Sequence, residues 1–407
     1  MLTSLALIFL IGLSLAAIFK AIKLPRIIGM LITGIVLGPY VLDWLDSTIL
    51  GISAELRQIA LVIILIKAGL SLNLKDLKKV GRPAILMAFL PALFEIVAFV
   101  IFAPLILKVT YVEAAIMGAV LGAVSPAVVV PRMVQLMDEK YGTEKGVPQM
   151  ILAGASLDDV FVIVLFTAFV GMAQGSGVHV MDFLNIPISI VLGILVGAAV
   201  GLALSQFFEI CYAHKHRVRN SMKAIIILAF AFLMLAVEDW LDGIVAVSGL
   251  LAIMSMALVI AMRSAKQVTT RLQEKFGKLW LAAEVLLFVL VGAAVDIRYT
   301  LEAGGFAVLL IFIGLAFRCV GVWLCMLGTK LNQKERLYCI IAYLPKATVQ
   351  AAIGGVPLAL GLSCGNIVLS VAVLSILITA PLGAIGMDLT YKRLLEKEEP
   401  PSPAEQE

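Results

Sequence analysis

Charged residues are rare in this chain: Asp, Glu, Lys and Arg make up 14% of its 407 residues, against 62% that are hydrophobic. With a mean hydropathy of +1.09, it has too little polar surface to coat a soluble globule, and it reads as a polytopic membrane protein. Histidine is nearly absent. Its three copies, His179, His214 and His216, stand in loops between apolar runs, so a proton crossing the membrane is expected to ride on a carboxylate. The five cysteines, Cys211, Cys319, Cys325, Cys339 and Cys364, lack metal-ligand spacing and are expected to be reduced, packed thiols. No phosphate-cradling Gly-Lys-Ser/Thr motif points to ATP hydrolysis. No appended soluble domain and no cofactor are expected. The formal net charge of +4 needs no nucleic acid, since basic loops against membrane lipid account for it.

Long apolar runs fill the place of that missing charge. Leu184 to Phe208 and Gly243 to Met262 carry no charge at all, and each is long enough for the roughly 20 residues of helix that cross a hydrocarbon core. Their continuity argues against a membrane barrel, whose strands would alternate. Thirteen spans are read, around 3–19, 27–42, 57–72, 83–107, 112–136, 147–172, 184–208, 221–237, 243–262, 279–296, 304–328, 336–358 and 365–386. The expected fold is therefore all-α, with about thirteen transmembrane helices. Counting bases on alternate sides of these spans places 25 Lys and Arg on one side and 3 on the other (Arg57, Lys108 and Arg298). Lys67, Arg318 and Lys346 remain inside spans. Because cytoplasmic loops retain positive charge, the N-terminus is expected outside and the C-terminus inside, in a cell membrane. The first run has no basic stretch before it and a cluster of bases after it, which reads as a retained helix and not a cleaved signal. The tail 387–407, charged and Pro-containing from Glu396 on, reads as a frayed cytoplasmic end.

Inside the otherwise uncharged stretch Gly146 to Gly171 stand two adjacent acids, Asp158 and Asp159. An acid at that depth faces a protein interior or a watery cavity where a cation or proton compensates it. Neighbours on a helix differ by about 100° in direction, so the two cannot share one environment and their jobs should differ. Two other spans carry breakers: Ser125-Pro126 and Pro131 in 112–136, and Pro345, Gly354-Gly355 and Pro357 in 336–358. Proline removes a donor and frees a carbonyl one turn earlier, so both spans are expected to be interrupted near mid-membrane. Each is the middle of a trio, within 83–172 and 304–386. The seven-span offset between the trios gives them opposite orientations, as inverted repeats require.

These residues carry a resemblance. The segment from Pro25 to Pro39, PRIIGMLITGIVLGP, resembles the opening signature of monovalent cation:proton antiporters, and Ala153 to Asp159, AGASLDD, resembles the ion-binding helix of their two-aspartate branch. Leu344 to Ala352, LPKATVQAA, is similar to the sub-branch of the bacterial and animal Na+/H+ exchangers of the NHA type. The resemblance implies a core domain (83–172 and 304–386) moving like an elevator against scaffold helices. Of these, 1–82 dimerise and 173–303 serve as scaffold and linker, giving a homodimer that exchanges Na+ or Li+ for H+ in pH homeostasis. It also implies that Asp159 binds the cation or the proton, with Asp158 as the second acid of the site, able to pair with a base. The Ser125 or Ser156 hydroxyl, carbonyls freed near Pro126 and water would complete an oxygen shell. Cation and proton then compete for one carboxylate, which suffices for exchange if the carrier moves only when loaded.

Glu95 and Arg318 lie at similar depths of their spans, at corresponding places in the two trios, and a structural ion pair between them is expected. Lys346, beside the second break, either compensates a half-helix or pairs with Asp158 when no cation is bound. Lys67 is expected to snorkel to a helix end. Glu284, a turn or so into its span, is expected at a wetted helix end, with a role at the mouth of the ion funnel as the alternative. Two rival functions remain: a sodium-coupled organic-anion symporter of the bile-acid carrier type, which should lack the opening signature and the mid-helix acid pair, and a non-transporting sensor or channel on the same scaffold.

Overall fold

Helix is the regular structure of the described residues, 1–71, 81–174, 180–213, 218–241 and 247–398 of the computed structural model; the one β contact among them is an isolated antiparallel bridge between Tyr141 and Lys397. Each of the thirteen apolar stretches contains helix. They fold as α1 (Leu2–Ala21), α2 (Arg26–Leu37), a short α3 (Ser47–Gly51), α4 (Ser53–Ser71), α5 (Arg82–Met87), α6 (Leu90–Leu107), α7 (Tyr111–Gly122), α8 (Pro126–Asp138) and α9 (Val147–Gln174). These are followed by α10 (Val180–Ala213), α11 (Asn220–Leu241), α12 (Gly249–Arg263), α13 (Lys266–Ala293), α14 (Ile297–Cys325), α15 (Gln333–Ala342), α16 (Thr348–Gly354), α17 (Val356–Ala359) and α18 (Gly365–Leu394). Among the described residues, nine stretches are helical, long and apolar enough to cross a membrane, and α2, α12 and the α16–α17 stretch are shorter apolar helices. The chain is a multi-pass membrane protein. His179, His214 and His216 lie outside the described residues, as does the tail from 399 on.

Local chemistry sets the helix ends. α7 opens on a capping box in which Thr110 and Glu113 satisfy each other's backbone N–H groups, and α15 opens on the same device from Asn332 and Glu335. α8 begins with Pro126, whose missing N–H is no loss at a first helical position. The foreseen interruptions are present: helix stops at Gly122 and resumes at Pro126, and stops at Ala342 and resumes at Thr348. Pro131 causes no break and stays inside α8, as does Pro381 inside α18. The span read as 83–107 is itself divided, because Ala88 and Phe89 separate α5 from α6 just before Pro91.

The helices pack in two groups. α1, α2, α4, α10, α11, α12 and α13 contact one another, as do α5 to α9 with α14 to α18, while contacts between the groups are sparse and are made mainly by α9 against α10 and α12 and by α16 against α4 and α13. Within the first group α2 and α13 touch backbone to backbone: a Cβ on Gly34 would lie 1.9 Å from the Val289 carbonyl oxygen, and one on Gly292 2.3 Å from that of Leu31. Within the second, α6 packs along α14.

Two expectations give way here. Glu284 is not at a wetted helix end, because α13 begins at Lys266 and not near 279, which puts Glu284 well inside the helix and 1% exposed. Nor is the start of the tail frayed: α18 runs on to Leu394, and residues 395–398 are bonded to the loop between α8 and α9.

Candidate functional site

The two interruptions meet in the middle of the second group. Ser125 N–H donates to the Pro345 carbonyl at 2.8 Å, and the Gln350 amide nitrogen donates to the Ala123 carbonyl at 2.8 Å while its oxygen accepts from Ala347 N–H. Each break thus satisfies backbone groups of the other, which non-helical backbone at membrane depth requires. Thr379 of α18 adds a hydroxyl that accepts from Lys346 N–H at 2.9 Å.

Four buried charges surround this crossing. Glu95 and Lys346 are 0% exposed, Asp158 is 0% and Arg318 is 1%. Arg318 Nη1 lies 3.0 Å from Glu95 Oε2, and its Nη2 lies 3.1 Å from Asp158 Oδ2. Its Nε donates to the Tyr343 carbonyl at 2.7 Å, and Nη1 also donates to the Gly122 carbonyl. Lys346 Nζ lies 2.7 Å from Glu95 Oε2 and donates to the Leu121 carbonyl. Both cations therefore sit at the C-terminal carbonyls of α7, where the helix dipole favours positive charge. Asp158 Oδ2 accepts from Val124 N–H at 2.7 Å, in the extended link between α7 and α8. Lys346 pairs with Glu95 and not with Asp158, whose basic partner is Arg318.

Asp159 stands apart from that network. It is half-buried, makes no ion pair among the described residues, and its Oδ1 has no hydrogen-bond partner. It lines a cavity of about 500 Å³ between the two helix groups. Pro126, Ala127 and Thr348, at the N-terminal ends of α8 and α16, form part of the wall on its side, and Ile64, Lys67, Trp280 and Glu284 form the opposite wall. Ser125 is fully buried with its hydroxyl unpartnered; the side chain of Ser156 lies outside the described residues. Lys67, one turn from the end of α4, lines the cavity with its Nζ 5.8 Å from the centre of the Trp280 ring.

Several contributors escaped the sequence reading. Gln350 and Thr348 follow Lys346 at the break, and a polar residue inside an otherwise apolar span was the available signal. Tyr343 had none: its role comes from a backbone carbonyl and from a ring 5.6 Å from the Arg318 guanidinium carbon. A Cβ on Gly154 would come 2.1 Å from the Tyr343 hydroxyl, so the small residues before Asp158 admit Tyr343 closely.

Comparison with known proteins identifies the family and the fold. The chain is 35% identical over 387 residues to sodium/hydrogen exchanger 9B2 of Pongo abelii, covering 92% of this chain and 71% of that protein. It is 34% identical over 390 residues to the Homo sapiens exchanger of the same name, with the same coverage. Its fold is similar to that of the sodium proton antiporter MjNhaP1 from Methanocaldococcus jannaschii, with a TM-score of 0.80 and 22% identity over 97% of this chain and 98% of that one. The model of the transmembrane sodium/hydrogen exchanger family matches residues 5–390, and the chain belongs to that family.

Proposed function

We propose that the protein is a secondary antiporter that exchanges Na+ or Li+ for H+, with both competing for Asp159. One observation carries the reading: of the acids at the crossing, Asp159 alone lacks a cationic partner among the described residues, and it faces a cavity. Glu95 and Asp158 are matched by Arg318 and Lys346, so Asp159 leaves one negative charge in excess. A half-buried carboxylate needs compensation, and a monovalent cation or a proton supplies it equally well in charge. Oxygen ligands from Asp159, from the wall at Thr348 and from water suit a hard cation, and Asp158, held by Arg318 and Val124 N–H, acts as a positioning group.

The cavity supports alternating access. It lies between the two helix groups, and the sparse contacts between them allow the crossing to slide as a unit past α4 and α13, an elevator motion. Arg26, Lys67 and Arg132 at the cavity lie towards the side that the loop charges make cytoplasmic, so this conformation faces inwards, in a cell membrane with the N-terminus outside. Dimerisation through the early helices is proposed with the rest, on the resemblance to the family alone.

The test is collapse of a preformed pH gradient in proteoliposomes by Na+, Li+ or K+. Na+ and Li+ should collapse it with the native protein and not with Asp159→Asn, at equal reconstitution and unchanged thermal stability. Exchange persisting in folded Asp159→Asn would remove the site assignment, and an inert native protein would remove the antiporter reading.

A further inference from the structure

A second acid shares the cavity with Asp159. Glu284 projects from the middle of α13, on the wall opposite the helix crossing, and its side chain is 1% exposed. One of its oxygens, Oε2, lies 2.6 Å from Arg26 Nη2; the other, Oε1, is buried with no hydrogen-bond partner. A carboxylate oxygen left unsatisfied in a buried cavity wall is costly, and it calls for a ligand.

Arg26 is a removable partner. Its side chain is 46% exposed, so the guanidinium can turn out into solvent. It is also the first residue of α2, and a cation at a helix N-terminus is disfavoured by the dipole. Glu284, and not its own helix, holds it in the cavity. Contrast the crossing, where Arg318 and Lys346 are fully buried, and where each also donates to a carbonyl at the C-terminus of α7. Lys67, over Trp280 one turn before Glu284, lines the same wall without forming an ion pair among the described residues.

We propose that Glu284 is a second binding station for the monovalent cation, on the scaffold wall, where the cation competes with the Arg26 guanidinium before passing to Asp159. The inference rests on the antiport reading above and adds a site to it. The ligand class follows from the chemistry: a hard, anionic oxygen carrying a single negative charge, with Arg26 displaced and Lys67 near, matches one positive charge and not two. Because cation and guanidinium are rivals for one group, removing each side chain should act in opposite directions.

The experiment measures the apparent KM for Na+ in proteoliposomes for Glu284→Gln and Arg26→Gln, at constant ionic strength held with choline. Glu284→Gln should raise KM by about fivefold or more, and Arg26→Gln should lower it by a similar factor, both with the maximal rate retained. A purely structural ion pair predicts that both variants change in the same direction, and that result, or no change in either, overturns the proposal. A separate readout keeps the station independent of transport. In detergent-solubilised Asp159→Asn, Na+ should still raise the melting temperature relative to choline, and adding Glu284→Gln should abolish the rise. Loss of Na+ stabilisation in Asp159→Asn alone would sink the second station while leaving the antiporter intact. An inert native protein that nonetheless shows the Glu284-dependent rise would sink the antiporter and keep the station.

Discussion

Glu95 accepts from two cations through one oxygen, Oε2, while its Oε1 has no partner. It is therefore the residue on which the charge balance at the crossing depends. Glu95→Gln would leave Arg318 and Lys346 facing a single acid, Asp158, in a site where none of the four is exposed beyond 1%. Breaking a buried pair by removing one partner costs about 3–5 kcal/mol, because the remaining charge stays buried. Thermal or denaturant unfolding in detergent should show a loss of that size for Glu95→Gln, and a smaller one for Glu95→Gln combined with Lys346→Met, which removes one charge of each sign. Equal losses in both would show that the network is held by packing and not by charge. Most of these residues were legible, since charges inside apolar runs stand out: Asp158, Asp159, Glu95, Arg318 and Lys346 all converge on the crossing or the cavity beside it. The Glu95–Arg318 pair was legible from the matching depths of the two residues, whereas the partners of Asp158 and Lys346 were not, because those pairings depend on side-chain reach across three helices. Glu284 was misjudged for a simpler reason. Its helix starts with about two and a half polar turns, Lys266 to Glu274, and hydropathy alone cannot tell a helix that projects beyond the membrane from a loop.

At the scale of elements, the breaks were readable and their consequences were not. Ser125-Pro126 and Pro345 announce an interruption through proline's missing donor, yet only the folded chain shows that each break hydrogen-bonds the other. Pro131 and Pro381 carry the same signal and break nothing, so a proline alone does not mark a break; at Ser125-Pro126 and Pro345 the opposite element supplies partners for the freed backbone. The chain end gives a further example. Gly142 N–H donates to the Glu396 carbonyl and Glu398 N–H to the Lys140 carbonyl, each at 2.8 Å. Lys145 joins Glu335 at 2.9 Å and Glu396 at 3.3 Å. The segment 395–398 therefore clasps the α8–α9 loop of the first trio to the start of α15 in the second. Hydrogen bonding to Glu335, then to Glu396, holds the Lys145 amine above the usual lysine range. A raised lysine pKa means that the charged pair stabilises the fold at and below the ordinary lysine value and loses that contribution only as pH rises past the raised one. Lys145→Met should accordingly speed backbone hydrogen exchange in 139–146 and 395–398 at neutral pH, after correction for intrinsic rates, with no effect on exchange in α2 and α13. Unchanged protection at the clasp would show that the backbone bonds alone hold it.

For the molecule as a whole, the quantity that matters is the charge carried across the membrane in each cycle. The loop charges suggested an orientation, and the paired acids suggested an ion site, but the sequence left open whether Lys346 pairs with Asp158 and gives up a proton when a cation binds. In the structure Lys346 is committed to Glu95 and the Leu121 carbonyl, and Arg318 supplies the base for Asp158. On the proposed antiport, the two acids and two bases at the crossing would stay balanced throughout, and only the occupant of Asp159 would change. That occupant would be a monovalent cation in one direction and a proton in the other, so the crossing would carry the same net charge both ways. The cycle should move no net charge, and the exchange ratio should be one to one. Initial rates of Na+-driven pH-gradient collapse should therefore be the same with the membrane potential clamped at zero or at about −100 mV, although moving one elementary charge through that potential is worth about 2.3 kcal/mol. A rate that rises or falls several-fold with the clamp would mean that a second group titrates during the cycle. Lys346 would be the first candidate, and Lys346→Met would then be expected to abolish the voltage dependence.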